Sequence, residues 1–352
     1  MEYTHGGDVY SQAVRLDFSA NINPFGTPKS VLLAAAKSLS ESSRYPDSKS
    51  RELCAALGVR HGVLPEWIRC GNGAADLIFS LAFSRRPRRA LVTAPTFSEY
   101  EQALTAVGCE VTHFFLEEAC GFLPDVEAMG RAVAGQDLVF LCNPNNPTGA
   151  AISQEEVLRL AEHCKNQGAI LVVDECFCEF LEDEARYSVI PYLETFPNLF
   201  VLRAFTKIYA MAGLRLGYAL CANLDVLEGI ECARQPWSVS NVAQAAGLAA
   251  LKEQKYVRES VAYLSGERVW LSRELAALGF CVYQSGANYV MFRDPAGEHL
   301  LYENLLQQGI LVRSCANYPG LDGSYYRVCV RLRAENEELL GALYAYQRGE
   351  RR

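Results

Sequence analysis

Long apolar runs are missing from this sequence. Stretches such as 169–173 and 138–142 end after a few residues, far short of the roughly 20 that a bilayer-spanning helix needs, so no membrane partner is expected. Basic charge is also scarce. Lys and Arg total 33 against 41 Asp and Glu, a net charge of −8. That leaves no positive field to collect phosphate backbones, and nucleic acid is not expected as a partner. No C-x-x-C occurs, and the 13 cysteines are odd in number and scattered, Cys176 and Cys178 being the closest pair. Neither a disulfide framework nor a zinc site is indicated, and no metal is expected. The first twelve residues have neither a basic start nor an apolar segment, so no secretory signal is read and the cytoplasm is the expected location. Fixed-period repeats and low-complexity tracts are absent, which removes solenoids and propellers.

What is present is a large reserve of core residues: half the chain is hydrophobic, with 16 Phe and 18 Tyr. Short apolar segments recur at 90–93, 111–115, 138–141, 170–174, 200–203 and 216–221, with helical patterns between most of them. Ser153 followed by Glu156, ahead of the Val157/Leu160/Ala161 stripe, spells a capping box, and Gly168 closes that helix. This β-α-β rhythm predicts an α/β fold with a mainly parallel sheet covered on both faces. After about residue 245 the rhythm changes. One long helical stretch over 241–278 precedes strands at 281–284, 289–292, 310–313 and 326–332 and a last helix over 335–346, which predicts a smaller α+β domain. The expected division is an N-terminal arm at 1–30, a large domain at 31–245 and a small domain at 246–352, with packing of the arm and first helix against the small domain left open. The arm is too polar to order itself without a neighbour.

Four local signals carry chemistry. Thr206-Lys207 follows an apolar strand, where partial desolvation lowers a lysine's pKa and makes its amine a Schiff-base nucleophile. Arg215, eight residues on among glycines, suits bidentate phosphate binding. Asp174 ends the very apolar 170–173 segment, the strand end where open α/β sheets place ligands. A carboxylate there can hold a pyridine nitrogen protonated. The string Asn143-Pro144-Asn145-Asn146-Pro147-Thr148-Gly149 sets a rigid loop. Gly71-Asn72-Gly73-Ala74, just before a helical run, frees backbone N–H groups for a phosphate. Each signal alone has a plainer reading: Lys207 as a solvated loop lysine, Asp174 as a surface residue, the glycines as a common turn. Their order is what a single cofactor site explains.

That order resembles the fold type I pyridoxal phosphate enzymes of the class I/II aminotransferase family, over nearly the whole chain. Arg44-Tyr45-Pro46-Asp47 and the short length resemble its histidinol-phosphate aminotransferase branch. A narrower likeness rests on His5-Gly6-Gly7, on the string from Asp17 through Asn23 to Pro24, and on the run from Ile310 through Arg313 and Tyr318 to Arg327. These are similar to the family of L-threonine-O-3-phosphate decarboxylases of cobalamin synthesis. The resemblance implies pyridoxal 5'-phosphate as cofactor, with Lys207 as its Schiff-base lysine and Asp174 at the pyridinium nitrogen. It further implies Asn146 at the 3-hydroxyl, Phe97 stacked on the ring, and Gly73, Ala74, Thr206 and Arg215 around the phosphate. Tyr45 would reach that phosphate from the partner of a homodimer. For a small phosphorylated amino-acid substrate it implies His5, Asn23, Arg313 and Arg327, with Arg327 on the carboxylate.

Two positions depart from the usual pattern. Phe177 replaces a tyrosine that hydrogen-bonds the 3-hydroxyl, and Ala204 replaces a serine that assists the phosphate. Arg331 and Arg333 alternate with Arg327 at period two and read equally as surface charges. The expected reaction is decarboxylation. A histidinol-phosphate-type aminotransferase and a decarboxylase of serine phosphate stay open as alternatives.

Overall fold

The apolar segments converge on one seven-stranded sheet in the computed structural model, which describes residues 5–296 and 300–349. The chain starts with β1 (Leu16–Asp17), α1 (Lys29–Ser38) and α2 (Arg51–His61). The sheet then takes in β2 (Ile68–Gly71), β3 (Arg89–Ala94), β4 (Glu110–Phe115), β5 (Leu138–Cys142), β6 (Ile170–Asp174), β7 (Leu199–Ala204) and β8 (Gly217–Leu220). Between these strands lie α3 (Ala74–Arg85), α4 (Glu99–Ala106), α5 (Val126–Ala132), α6 (Gln154–Gln167) and α7 (Phe205–Ile208). The spatial order is β2-β8-β7-β6-β5-β3-β4, and β8 alone runs antiparallel to its neighbours. Every residue of β5 and β7 is buried. Alternate residues of β5 enter different cores, Val139 and Leu141 on one face, Leu138 and Phe140 on the other. That is what a strand covered on both sides requires. The capping box at Ser153 and Glu156 and the left-handed Gly168 cap, φ 71°, both bound α6 as the sequence predicts.

The 241–278 stretch is not one helix. After α8 (Leu224–Ala233) it breaks at residues 251–253 into α9 (Asn241–Ala250) and α10 (Gln254–Ala277). A second sheet, antiparallel throughout, has the order β12-β13-β10-β9, from β9 (Cys281–Val282), β10 (Tyr289–Arg293), β12 (Arg313–Ser314) and β13 (Tyr325–Cys329). The predicted strand over 310–313 divides at Val312. Its first half, β11 (Ile310–Leu311), lies between α11 (Leu301–Gln307) and β12, and pairs in parallel with β1. The chain closes with α12 (Arg333–Gln347).

The neighbour that orders the arm is the C-terminal part of its own chain, through β11 and β13. Leu16 N–H donates to Gly309 O at 3.0 Å, Phe18 N–H to Leu311 O at 2.7 Å, and Cys329 N–H to Phe18 O at 2.8 Å. Phe18 itself is fully buried. The first four arm residues lie outside the described residues. β2 was not foreseen because its four residues, Ile-Arg-Cys-Gly, are too few and too mixed to show a period.

Candidate active site

Parallel pairing puts the C-terminal ends of β3, β5, β6 and β7 side by side; three of the sequence motifs lie at the ends of β5, β6 and β7, and Phe97 follows β3. They enclose a cavity of about 250 Å³. Asp174, the last residue of β6, is buried at its floor. Its Oδ2 accepts from the Tyr100 hydroxyl at 2.6 Å and its Oδ1 from Cys176 N–H at 2.9 Å. Both oxygens are thus held in a fixed orientation by donors that stabilise a carboxylate. Lys207, in α7 directly after β7, lines the same cavity with its Nζ 5.6 Å from the Phe177 ring centroid. Withdrawal from water, and then the Arg327 guanidinium, lower its ammonium pKa.

The loop after β5 is tied in place on two sides. Thr96 Oγ1 donates to Asn145 Oδ1 at 2.8 Å, and the Tyr289 hydroxyl of β10 donates to Asn145 O at 2.7 Å. This presents Asn146 to the cavity, where its Oδ1 accepts from Arg327 Nη1. Phe97 lines the wall beside it, edge-on to Tyr100.

At the other end, Gly73 has φ +81° and stands against Arg215, so close that a Cβ on it would lie 2.5 Å from Nη2. Only glycine permits that approach. Ala74 begins α3, and Ala74, Thr206 and Arg215 all line the cavity. Free helix-start N–H groups, a hydroxyl and a guanidinium together make an anion cradle.

The remaining wall comes from the second sheet. Arg313 and Arg327 are direct cross-strand partners on β12 and β13, and both reach the cavity. Arg313 donates to Ser314 O and Asn317 Oδ1, each at 2.7 Å, and lies over the Tyr318 ring. Arg327 donates to Ser19 O at 2.6 Å, while its buried Nε has no partner among the described residues. His5 lines the mouth with its side chain half exposed.

Three residues proposed from the sequence do not themselves line this cavity: Gly73, which stands against the lining Arg215, Asn23 and Tyr45. Asn23 is buried elsewhere: its Nδ2 donates to Ile208 O and to Ser260 Oγ of α10, both at 2.8 Å, and its Oδ1 accepts from Phe25 N–H. Asn21 lines the cavity instead, its buried Oδ1 without a partner among the described residues. Tyr45 is 79% exposed and stacks on Trp237 at 4.5 Å. Phe177 and Ala204 do line the cavity. Arg331 and Arg333 turn away, to Glu335 and Glu267 respectively. Sequence reasoning missed Glu99 and Tyr100. Glu99 sits in the first turn of α4, where an acid reads as a helix-dipole partner, yet it faces Lys207 and Asp174 in the cavity. Burial pushes its carboxyl up to about 7.

The profile described as aminotransferase class I and II matches residues 14–343. The chain belongs to that family. It is 39% identical over 348 residues to a threonine-phosphate decarboxylase of Salmonella typhimurium, a match covering 96% of this chain and 95% of the relative. A histidinol-phosphate aminotransferase of Desulfitobacterium hafniense is 36% identical over 338 residues, covering 94% and 91%. Among solved structures, the histidinol-phosphate aminotransferase of Clostridium acetobutylicum superposes with a TM-score of 0.89 at 31% identity, covering 95% of this chain and 99% of that one. L-threonine-O-3-phosphate decarboxylase of Porphyromonas gingivalis gives 0.84 at 25%, with the same coverage. In this class I and II aminotransferase chain the residues present fit pyridoxal 5'-phosphate. The glycine-limited cradle suits its phosphate, Phe97 offers an aromatic face, Asp174 a fixed carboxylate and Lys207 an amine of lowered pKa. Asn146 presents a polar side chain to the same cavity, where Phe177 offers none.

Proposed function

We propose that this protein is a pyridoxal phosphate-dependent carboxy-lyase that converts L-threonine O-3-phosphate into (R)-1-amino-2-propanol O-2-phosphate for cobalamin synthesis. The observation that carries the reading is the cross-strand pair Arg313 and Arg327 facing Lys207 and Asp174 across one cavity. Like charges directly opposite one another destabilise a sheet. Two guanidiniums held there match a substrate with an anion at each end, a phosphate and a carboxylate.

When bound, the cofactor accepts the electron pair left at Cα. The residues decide which bond supplies it. With the carboxylate on Arg327 and the phosphate on Arg313 and His5, rotation about the Cα–N bond is restricted before any bond breaks. The Cα–carboxylate bond then cleaves, carbon dioxide leaves, and the Lys207 ammonium, its pKa lowered by burial and then by Arg327, returns a proton to Cα. Asp174, fixed by Tyr100 and Cys176, balances positive charge on the cavity floor.

The same reading makes the enzyme a cytoplasmic homodimer. Thirteen cysteines without a disulfide suit a reducing compartment. The exposed Tyr45 and Trp237 pair suits burial against a second copy, from which Tyr45 reaches the partner's cofactor phosphate.

The test is carbon dioxide release from threonine phosphate by the holoenzyme with no keto acid added. Catalytic release is expected, with much weaker turnover of threonine, because the phosphate donors are then left unpaired. Serine phosphate lacks one methyl and loses about 1 to 3 kcal/mol of discrimination at most. Keto-acid consumption with histidinol phosphate, and no gas from threonine phosphate, would assign the aminotransferase reaction instead.

A further inference from the structure

Glu99 is a carboxylate in a cavity built for anions. It is a partly buried residue whose side chain is 14% exposed, and it lines the cavity with Lys207, Asp174 and Arg313. Such a group opposes binding of a phosphate unless something stands between them. What stands next to it is His5. The Nδ1 of His5 lies 3.4 Å from Glu99 Oε1, while Ser98 Oγ donates to Oε2 at 3.1 Å. Glu99 is therefore tied at one oxygen by its own helix start and faces the arm with the other. An imidazole held at Nδ1 has only Nε2 left to offer to the cavity.

We propose that Glu99 is a positioning residue for the substrate phosphate, orienting His5 through Nδ1 so that Nε2–H is presented as a phosphate donor beside Arg313. The arrangement is the one by which carboxylates fix the tautomer and direction of a functional histidine. It rests on the reading that the substrate carries a phosphate at this end of the cavity.

The surrounding charges fit a shared proton. Glu99 is also faced by Lys207, Asp174 and Tyr318, and His5 by Arg313. Burial raises the carboxyl to about 7, whereas burial and then Arg313 lower the imidazole. At 3.4 Å the two groups are placed to share one proton. An arriving phosphate favours the imidazolium, and the proton passes from Glu99 Oε1 to His5 Nδ1 without being taken from solvent. No other bond changes.

The experiment uses holoenzyme carrying 15N-labelled histidine, in wild type, Glu99→Gln, His5→Gln and the double variant. Without ligand, His5 should show an unprotonated Nδ1 and a protonated Nε2; phosphate should add the Nδ1 proton in wild type, and the isosteric Glu99→Gln, with no carboxylate to hold that proton, should weaken the change. Inorganic phosphate, titrated by calorimetry in buffers of different ionisation enthalpy, should bind wild type with little proton exchange. It should bind Glu99→Gln about tenfold more weakly and with proton uptake. For threonine phosphate the loss should fall on KM rather than on kcat. The double variant should lose no more than either single one, because the two residues act as a unit. An unchanged His5 signal in Glu99→Gln, unchanged phosphate affinity, or independent losses that multiply would each overturn the proposal. Failure of the functional reading looks different: no carbon dioxide from threonine phosphate in wild type, with the phosphate and histidine results intact.

Discussion

Tyr100 donates its phenol hydroxyl to Asp174 at 2.6 Å from the middle of the protein, stacked against Phe140 and without exposure to water. The bond couples α4 to the end of β6, and so couples the wall of the cavity to its floor. Changing Tyr100→Phe keeps the stacking and removes only the donor, leaving one carboxylate oxygen buried with less support. A stability loss of about 1 to 3 kcal/mol is expected in urea denaturation. Turnover should fall roughly tenfold as the hold on the cofactor's ring nitrogen slackens.

Gly73→Ala tests the anion cradle. The added methyl carbon would sit 2.5 Å from Arg215 Nη2 on a backbone with φ +81°, so either the guanidinium or the loop must move. Titration of the apoprotein with pyridoxal phosphate, followed by visible absorbance, should show cofactor affinity reduced about tenfold or more. Wild-type affinity would remove the cradle from this position.

Acid stability should carry the signature of His61. Burial, then Arg203 and Arg60, lower its pKa to about 3, and its Nε2 lies 2.9 Å from the Tyr218 hydroxyl. The unfolded imidazole takes a proton near pH 6.5 and the folded one does not. Stability is therefore full above that pH and is lost as pH falls from 6.5 toward 3. At pH 5 the loss from this residue is about 2 kcal/mol relative to pH 7.5. His61→Gln should flatten that part of the profile in urea denaturation at the two pH values.

Shared active sites can be tested by mixing Lys207→Ala with Tyr45→Ala subunits, both strongly impaired alone. In a one-to-one exchange half the dimers are hybrids, and each hybrid holds one site with an intact Lys207 and an intact partner Tyr45. Recovery of about a quarter of wild-type activity is expected. No recovery with hybrids demonstrably formed would place Tyr45 outside the site.

The motifs that proved legible are those whose chemistry is local. Lys207, Asp174 and Asn146 each lie at or within a few residues of the end of an apolar strand, and strand ends in a parallel sheet converge whatever the details of packing. What stayed hidden depends on contacts distant in sequence. Asn21 and Asn23 are two residues apart in one string, and nothing local separates them. The choice is made by Ser260 on α10 and by Ile208, which claim the amide of Asn23. Glu99 was hidden for another reason. Its position in the first turn of a helix already explains an acid, so the cavity it faces adds no further signal to the sequence.

The pairing of Leu16 with Ile310 has a consequence for synthesis on the ribosome. β1 has no partner until residues 310 and 311 have been translated, and the arginines at 313 and 327 emerge later still. The cofactor's half of the cavity, complete once β8 ends at Leu220, can therefore be assembled while the nascent chain still lacks any grip on a substrate. Long-range closure of this kind is slow relative to local folding. Until then the arm waits for the strand that holds it.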